Sequence, residues 1–266
     1  MATTPANTAA NAEMQLPLFY NSLTPLSSQL HPHHGLSRRS DVIFTNITHA
    51  IPVTVDEFAV AQRHFPIVFG LGDNPAPLAL LGLNEGRNLF VDAEGKWQQD
   101  VYIPAFVRRY PFMLAKLNPQ ADELSLCFDD TSGIVVENGA ERLFDGDQPS
   151  EVTKGVLAFC EQFEQAIFRT RGFMDELLKL DLLIDGEVSI QQADMAEPAV
   201  YRGFRMVAEE KLQKLRGDQT RKMVQNGMMG LIYAHLFSLS QITGLFERQR
   251  AADALASAVP SGLLYS

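Results

Sequence analysis

The chain has 266 residues, 46% of them apolar and 20% charged, with a formal net charge of −10 and a pI near 5.1. That composition suits a globular protein that can bury a sizeable core without cross-links. The acidic balance argues against non-specific nucleic-acid binding and against docking on anionic lipid, both of which need clustered Lys and Arg.

Residues 1–13 are small and polar, with no Lys or Arg and no apolar stretch. They read as a disordered tail (assigned to residues 1–15) rather than an export signal. Leu16 to Ser28 has Pro and Ser punctuation and predicts an extended segment with turns. The run His31-Pro32-His33-His34-Gly35 brings three imidazoles close together, and imidazole is the commonest transition-metal ligand. Pro32 prevents a helix from presenting them on one face, and a polar loop is the alternative reading. His31, His33 and His34 are therefore the candidate metal ligands, with no recognisable ligand frame around them.

From Asp41 the pattern is regular. Asp41 to Val53 alternates and is rich in β-branched residues, which predicts one or two short strands. Thr54 and Glu57 have capping-box spacing, so a helix of about ten residues is expected before Pro66. Two apolar strands follow, Pro66 to Gly70 and Pro77 to Leu83, separated by the turn residues Gly72 to Pro75. Gly70-Leu71-Gly72 is not a nucleotide loop, because no third glycine follows and Pro75 and Pro77 break any helix. Asn88 to Asp92 reads as a further short strand, and Asp92 to Gly95 as a tight turn.

The stretch from Leu89 to Phe112 holds the single Trp of the chain and an adjacent Arg pair. Trp97, Tyr102, Arg108, Arg109 and Tyr110 are the candidate ligand-binding residues, because aromatic and Arg side chains this dense mark packed junctions or recognition surfaces. Pro104 and Pro111 bracket a short helical turn. Adjacent residues on a helix diverge by about 100°, so Arg108 and Arg109 cannot share one environment. One is expected to face solvent or a ligand, the other to be held against aromatic and acidic groups.

Leu124 to Asp130 predicts a buried strand, and Thr131 to Phe144 a hairpin turning at Asn138-Gly139. Asp129, Asp130, Asp145 and Asp147 are read as turn and capping residues rather than an acid–base pair. Ser150 caps a helix with an apolar face from Val156 to Phe168, and a second helix is expected from Phe173 to Asp181. Leu182 to Gln191 and Ala199 to Val207 read as a strand pair, then Glu209 to Arg216 and Gln219 to Asn226 as short helices. One long buried helix, Met228 to Arg250, completes the expected fold, with Leu231, Ile232, Leu236, Leu239 and Ile242 on its core side. Cys127 and Cys160 have neither disulfide-framework nor metal spacing, which points to a reducing compartment.

Several segments together resemble the bacterial SapC family: His34 to Leu36, Glu57 to Phe69, Asn88 to Phe112, Arg142 to Glu151 and Gly227 to Leu245. The resemblance spans roughly Leu16 to Arg250 and implies an accessory role in uptake or modification of a nutrient, near outer-membrane TonB-dependent receptors and flavin-dependent halogenases. It brings no established catalytic residues, and the cofactor, if any, stays open.

The expected architecture is α+β: a single domain over 16–250, β-rich over 16–148 and mainly helical over 149–250, with a loose tail at 251–266. The expected function is that of a non-catalytic cytoplasmic accessory or binding protein, meeting a protein partner or a small-molecule ligand and not inserting into a membrane. The alternative is a metal-dependent enzyme of oxygenase or hydrolase type using His31, His33 or His34.

Overall fold

A computed structural model describes residues 16–38, 41–118, 123–191, 195 and 197–258, with side chains as far as 255. In chain order the first half holds β1 (Thr24–Pro25), β2 (His34–Leu36), a 3₁₀ turn (Ile43–Thr45), β3 (Ala50–Pro52), a second 3₁₀ turn (Val55–Glu57), α1 (Phe58–Ala61), β4 (Ile67–Phe69) and β5 (Pro77–Leu80). Next come α2 (Ala105–Arg109), β6 (Phe112–Ala115), β7 (Ser125–Phe128), β8 (Val135–Glu137), β9 (Glu141–Arg142), β10 (Phe144–Asp145) and β11 (Gln148–Pro149). The second half holds α3 (Glu151–Lys179), β12 (Leu183–Ile190), β13 (Ala199–Val207), α4 (Glu209–Gln213), α5 (Gly217–Gln225), α6 (Met228–Ser238) and α7 (Gln241–Ala258). The class is α+β.

Three antiparallel sheets carry the β structure, with β10–β11 as a separate ribbon: a five-stranded sheet ordered β12-β13-β4-β5-β3 and two three-stranded sheets, β1-β7-β6 and β8-β2-β9. Helix α3 joins them. Ser150 caps its start by accepting from the Thr153 amide at 3.3 Å. At 1.5 Å per residue its 29 residues run for about 43 Å. Along that length Cys160 packs with Phe112 and Phe128, Phe163 with Ala105 and Phe106, and Phe173, Met174 and Leu177 with the core of the large sheet.

The junction of β4 with β13 is narrow. Only Arg205 and Phe69 pair across it, so the Ile67 backbone lacks a strand neighbour on that side. Helix α6 supplies the missing partners. Ser238 Oγ accepts from the Ile67 amide at 2.8 Å, and His235 Nδ1 donates to the Ile67 carbonyl at 2.7 Å. His235 Nε2 accepts from the Val207 amide on β13 at 3.1 Å. One neutral imidazole thus closes the seam between two strands. Burial pushes its pKa from 6.5 down to about 4, with the bond to Ile67 acting the other way.

Local chemistry overrides several sequence expectations. The region expected as one or two strands from Asp41 opens instead with a 3₁₀ turn, because Thr45 Oγ1 donates to the Val42 carbonyl at 2.8 Å and Asp41 accepts from the Ile43 amide at 3.4 Å. The helix after Thr54 is shorter than ten residues and ends at Ala61. No strand forms over Asn88 to Asp92. Asn88 accepts from the Phe90 amide at 2.9 Å, and Val91 makes an isolated bridge with Trp97.

The hairpin expected over Thr131 to Phe144 opens into two arms, β8 and β9, that flank β2 instead of pairing with each other. Gly35 and Gly139 allow the approach: a Cβ at Gly35 would lie 2.7 Å from the Glu141 carbonyl oxygen. The helices expected on either side of Gly172 are one helix, and Phe168 lies on its exposed side, outside the apolar face assigned to it. The long helix expected from Met228 breaks at Leu239–Ser240 into α6 and α7, and α7 continues past Arg250 to Ala258. By length and composition alone, the stretch Met228–Leu255 could cross a membrane; in this fold Ile232, His235, Ser238 and Ile242 are fully buried, whereas Leu231, Leu236 and Leu239 are half-buried.

Two outcomes follow for stability. Leu177→Ala removes a fully buried side chain and is expected to cost about 2–5 kcal/mol in urea unfolding, while Phe168→Ser, on the exposed side of the same helix, changes stability by less than about 0.5 kcal/mol. His235 provides a pH test. Its folded pKa lies below the unfolded value, so between about pH 6.5 and 4 the unfolded chain binds a proton that the native chain does not. Stability is retained above pH 6.5 and falls by on the order of 3 kcal/mol as the pH drops through this window. Urea midpoints for wild type and His235→Gln should show that part of the acid sensitivity only in wild type.

Candidate functional site

Helix α2 is placed by a carboxylate outside it. Glu57 is buried and fully engaged. Its Oε2 accepts from the Thr54 amide and hydroxyl, both at 2.9 Å; its Oε1 accepts from the Ala105 amide at 2.7 Å and the Tyr102 hydroxyl at 3.0 Å. Four donors satisfy this buried anion without a cation. The bond to Ala105 holds the first residue of α2, which fixes where the next turn presents its two arginines.

Those arginines diverge as the sequence predicts. Arg108 is exposed, donating to the Ile103 carbonyl at 2.9 Å and to the Tyr102 hydroxyl at 3.1 Å, with its guanidinium 5.1 Å from the Phe159 ring centre. Burial pushes the Tyr102 hydroxyl up to about 12, Glu57 adds to the rise, and the Arg108 bond opposes it. The Arg109 side chain is only 4% exposed. Its guanidinium lies 4.3 Å from the Phe163 ring centre and 5.2 Å from that of Phe106. Its ion-pair partner, Glu164 Oε1, stands 3.5 Å from Nη1, and its buried Nε has no hydrogen-bond partner.

Arg109 lines a groove of about 670 Å³ between α3 and the ends of β3 and β5. Met113, Ile167, Met174 and Leu178 form much of the apolar wall, and Glu164, Arg171 and Asp175 bring charge to it. Such a concavity, mostly apolar with a few fixed polar groups, is the general form of a small-molecule site. A second cavity of about 730 Å³ lies among β13, α4 and α6, ringed by Glu209, Glu210, Lys211 and Lys214. None of the side chains lining it carries a buried, unpaired polar atom, so the Arg109 groove is the stronger candidate.

Of the five sequence-predicted ligand-binding residues, Arg109 lines the groove and the other four do not. Trp97 packs against Phe65 and Phe90, its buried Nε1 without a hydrogen-bond partner. Tyr110 is buried against Phe44 and Tyr20, and its hydroxyl donates to Asp129 Oδ2 at 3.2 Å. Asp129 is a buried turn residue: burial alone would raise its carboxyl, but hydrogen bonds from Thr131, Asn21 and Tyr110 hold it below the usual range. The imidazoles of His31 and His34 meet edge to face at 4.8 Å, while His33 is exposed. His31 Nδ1 accepts from the Ser27 amide at 3.2 Å. Among the described residues, no three His, Cys, Asp or Glu side chains are grouped so as to hold a metal ion.

Sequence reasoning missed the α3 wall. Phe163, Ile167, Met174 and Leu178 recur at helical spacing, but the stripe becomes visible only once the helix is continued through Gly172. The anchoring role of Glu57 is testable. Glu57→Gln puts an amide against four donors and is expected to cost on the order of 1.5–3 kcal/mol in denaturant unfolding and to alter the near-UV signal of the Tyr102 region, whereas Glu85→Gln on the exposed turn should do neither.

A family model described as SapC matches residues 26–245. No curated protein and no solved structure matches the chain.

Proposed function

The chain belongs to the SapC family, and from that membership we propose that it is a non-catalytic cytoplasmic accessory protein that binds a small molecule in the Arg109 groove. One observation carries the reading: a buried guanidinium with an unpaired Nε lies at the side of an apolar-walled groove of about 670 Å³. A buried cation whose single ion pair stands at 3.5 Å and whose Nε is unpaired is costly, and such a cost persists at places that receive a ligand. The accessory role, in uptake or modification of a nutrient alongside TonB-dependent receptors, comes from what the family resemblance implies. Cytoplasmic residence is supported by two buried free thiols, Cys127 and Cys160. The metal-dependent enzyme lacks comparable support, because no third ligand joins His31 and His34 among the described residues.

The test is capture from a small-molecule cell extract followed by native mass spectrometry. Wild type and Arg108→Gln are expected to retain a stoichiometric adduct that is released chemically unchanged. Arg109→Gln and the groove-filling Ile167→Trp are expected to lose it. No adduct on wild type, or one released in altered form, would overturn the reading.

A further inference from the structure

We propose that the groove takes an amphipathic monocarboxylate, its carboxylate on Arg109 and its apolar body along α3, and that Glu164 is the resident counter-ion this ligand displaces. The inference rests on the groove being a binding site. It adds the chemical class of the occupant and a role for a residue that sequence reasoning does not single out.

Arg109 dictates the head group. A guanidinium presents its N–H donors as a planar fork that matches a carboxylate in bidentate fashion. Here the fork is set against aromatic rings at 4.3 and 5.2 Å and is almost wholly out of water. Charge-assisted N–H to oxygen contacts close to about 2.7–2.9 Å when they are satisfied. The contact to Glu164 stands at 3.5 Å and leaves the buried Nε unpaired. Glu164 is therefore an incomplete partner. Its side chain is 34% exposed on α3, at the edge of the groove, so a change of rotamer can return its carboxylate to water. A ligand carboxylate in its place brings two acceptor oxygens to the fork.

The body of the ligand follows from the wall. Met113, Ile167, Met174 and Leu178 offer apolar and conformationally adaptable surface. Arg171 and Asp175, one turn apart on α3, both line the groove and offset each other's charge. That leaves the buried Arg109 as the anchor for a single anionic head.

Displacement has a consequence that a purely structural ion pair would not share. Glu164 competes with the ligand for one cation, so removing its charge should strengthen carboxylate binding while leaving binding of a neutral analogue unchanged. Calorimetric titration of the full chain with decanoate, decanol and decyltrimethylammonium supplies the test. Decanoate is expected to bind wild type, decanol to bind about tenfold more weakly, and the cation to give no heat. Glu164→Gln should tighten decanoate about tenfold and leave decanol unchanged. Arg109→Gln should reduce decanoate to the level of decanol. If that variant does not fold, Glu164→Gln, which alters a partly exposed side chain, carries the test alone.

Equal binding of decanoate and decanol, or Glu164→Gln without effect on decanoate, would overturn the carboxylate assignment while leaving the groove as a binding site. Absence of binding by all three probes, or binding undiminished by Ile167→Trp, would overturn both.

Discussion

The structure depends on one long amphipathic helix having to serve three apolar clusters at once. The three clusters meet α3 at different heights, through Cys160, through Phe163, and through Phe173, Met174 and Leu177. The helix therefore sets the spacing between the clusters: Cys160 to Phe163 to Phe173 is about three and a half turns of a rigid rod. Moving any sheet along the rod would strand its apolar residues. The groove forms where that rod bridges two clusters, in the interval between Phe163 and Leu178 where α3 stands off from the ends of β3 and β5.

Two buried polar groups complete what the rod leaves open, and they do so in opposite electrostatic states. His235 is neutral and splits its two ring nitrogens between a carbonyl on β4 and an amide on β13. Glu57 gathers four donors from three residues around one carboxylate. Each replaces a secondary-structure bond that the strands and turns cannot make for themselves, so each is satisfied. Arg109 differs from both. It is as deeply buried, but its Nε is left without a hydrogen-bond partner, and that contrast marks the site more clearly than charge or cavity size.

What the sequence discloses divides along the same line. Local signals are reliable where one residue decides the geometry: Ser150 starts α3, Pro104 and Pro111 bracket α2, and the β-branched runs of β12 and β13 pair as expected. The divergence of Arg108 and Arg109 follows from helical geometry alone. Long-range competition stays hidden. Asn138-Gly139 signals a closed hairpin, and nothing within that segment indicates that β2, about a hundred residues earlier, takes the place between its arms. Gly172 looks like a helix break because an isolated glycine costs about 1 kcal/mol in a helix, yet packing on both sides carries α3 through it. Arg109 is legible as a candidate, whereas Glu164 becomes one only through the fold.

The insertion of β2 between β8 and β9 also orders events in time. His34 to Leu36 pairs with Glu137 to Val135 on one side and with Arg142 and Glu141 on the other, so this sheet joins segments separated by about a hundred positions along the chain. Loop-closure entropy must be met before such pairing is rewarded, which makes it slow compared with helix formation. During synthesis the N-terminal segment cannot be paired on both sides until residue 142 has left the ribosome, and only then is the approach of the two glycine backbones complete. In that interval the edge of β2 is open to other strands, and dependence on chaperones would concentrate there.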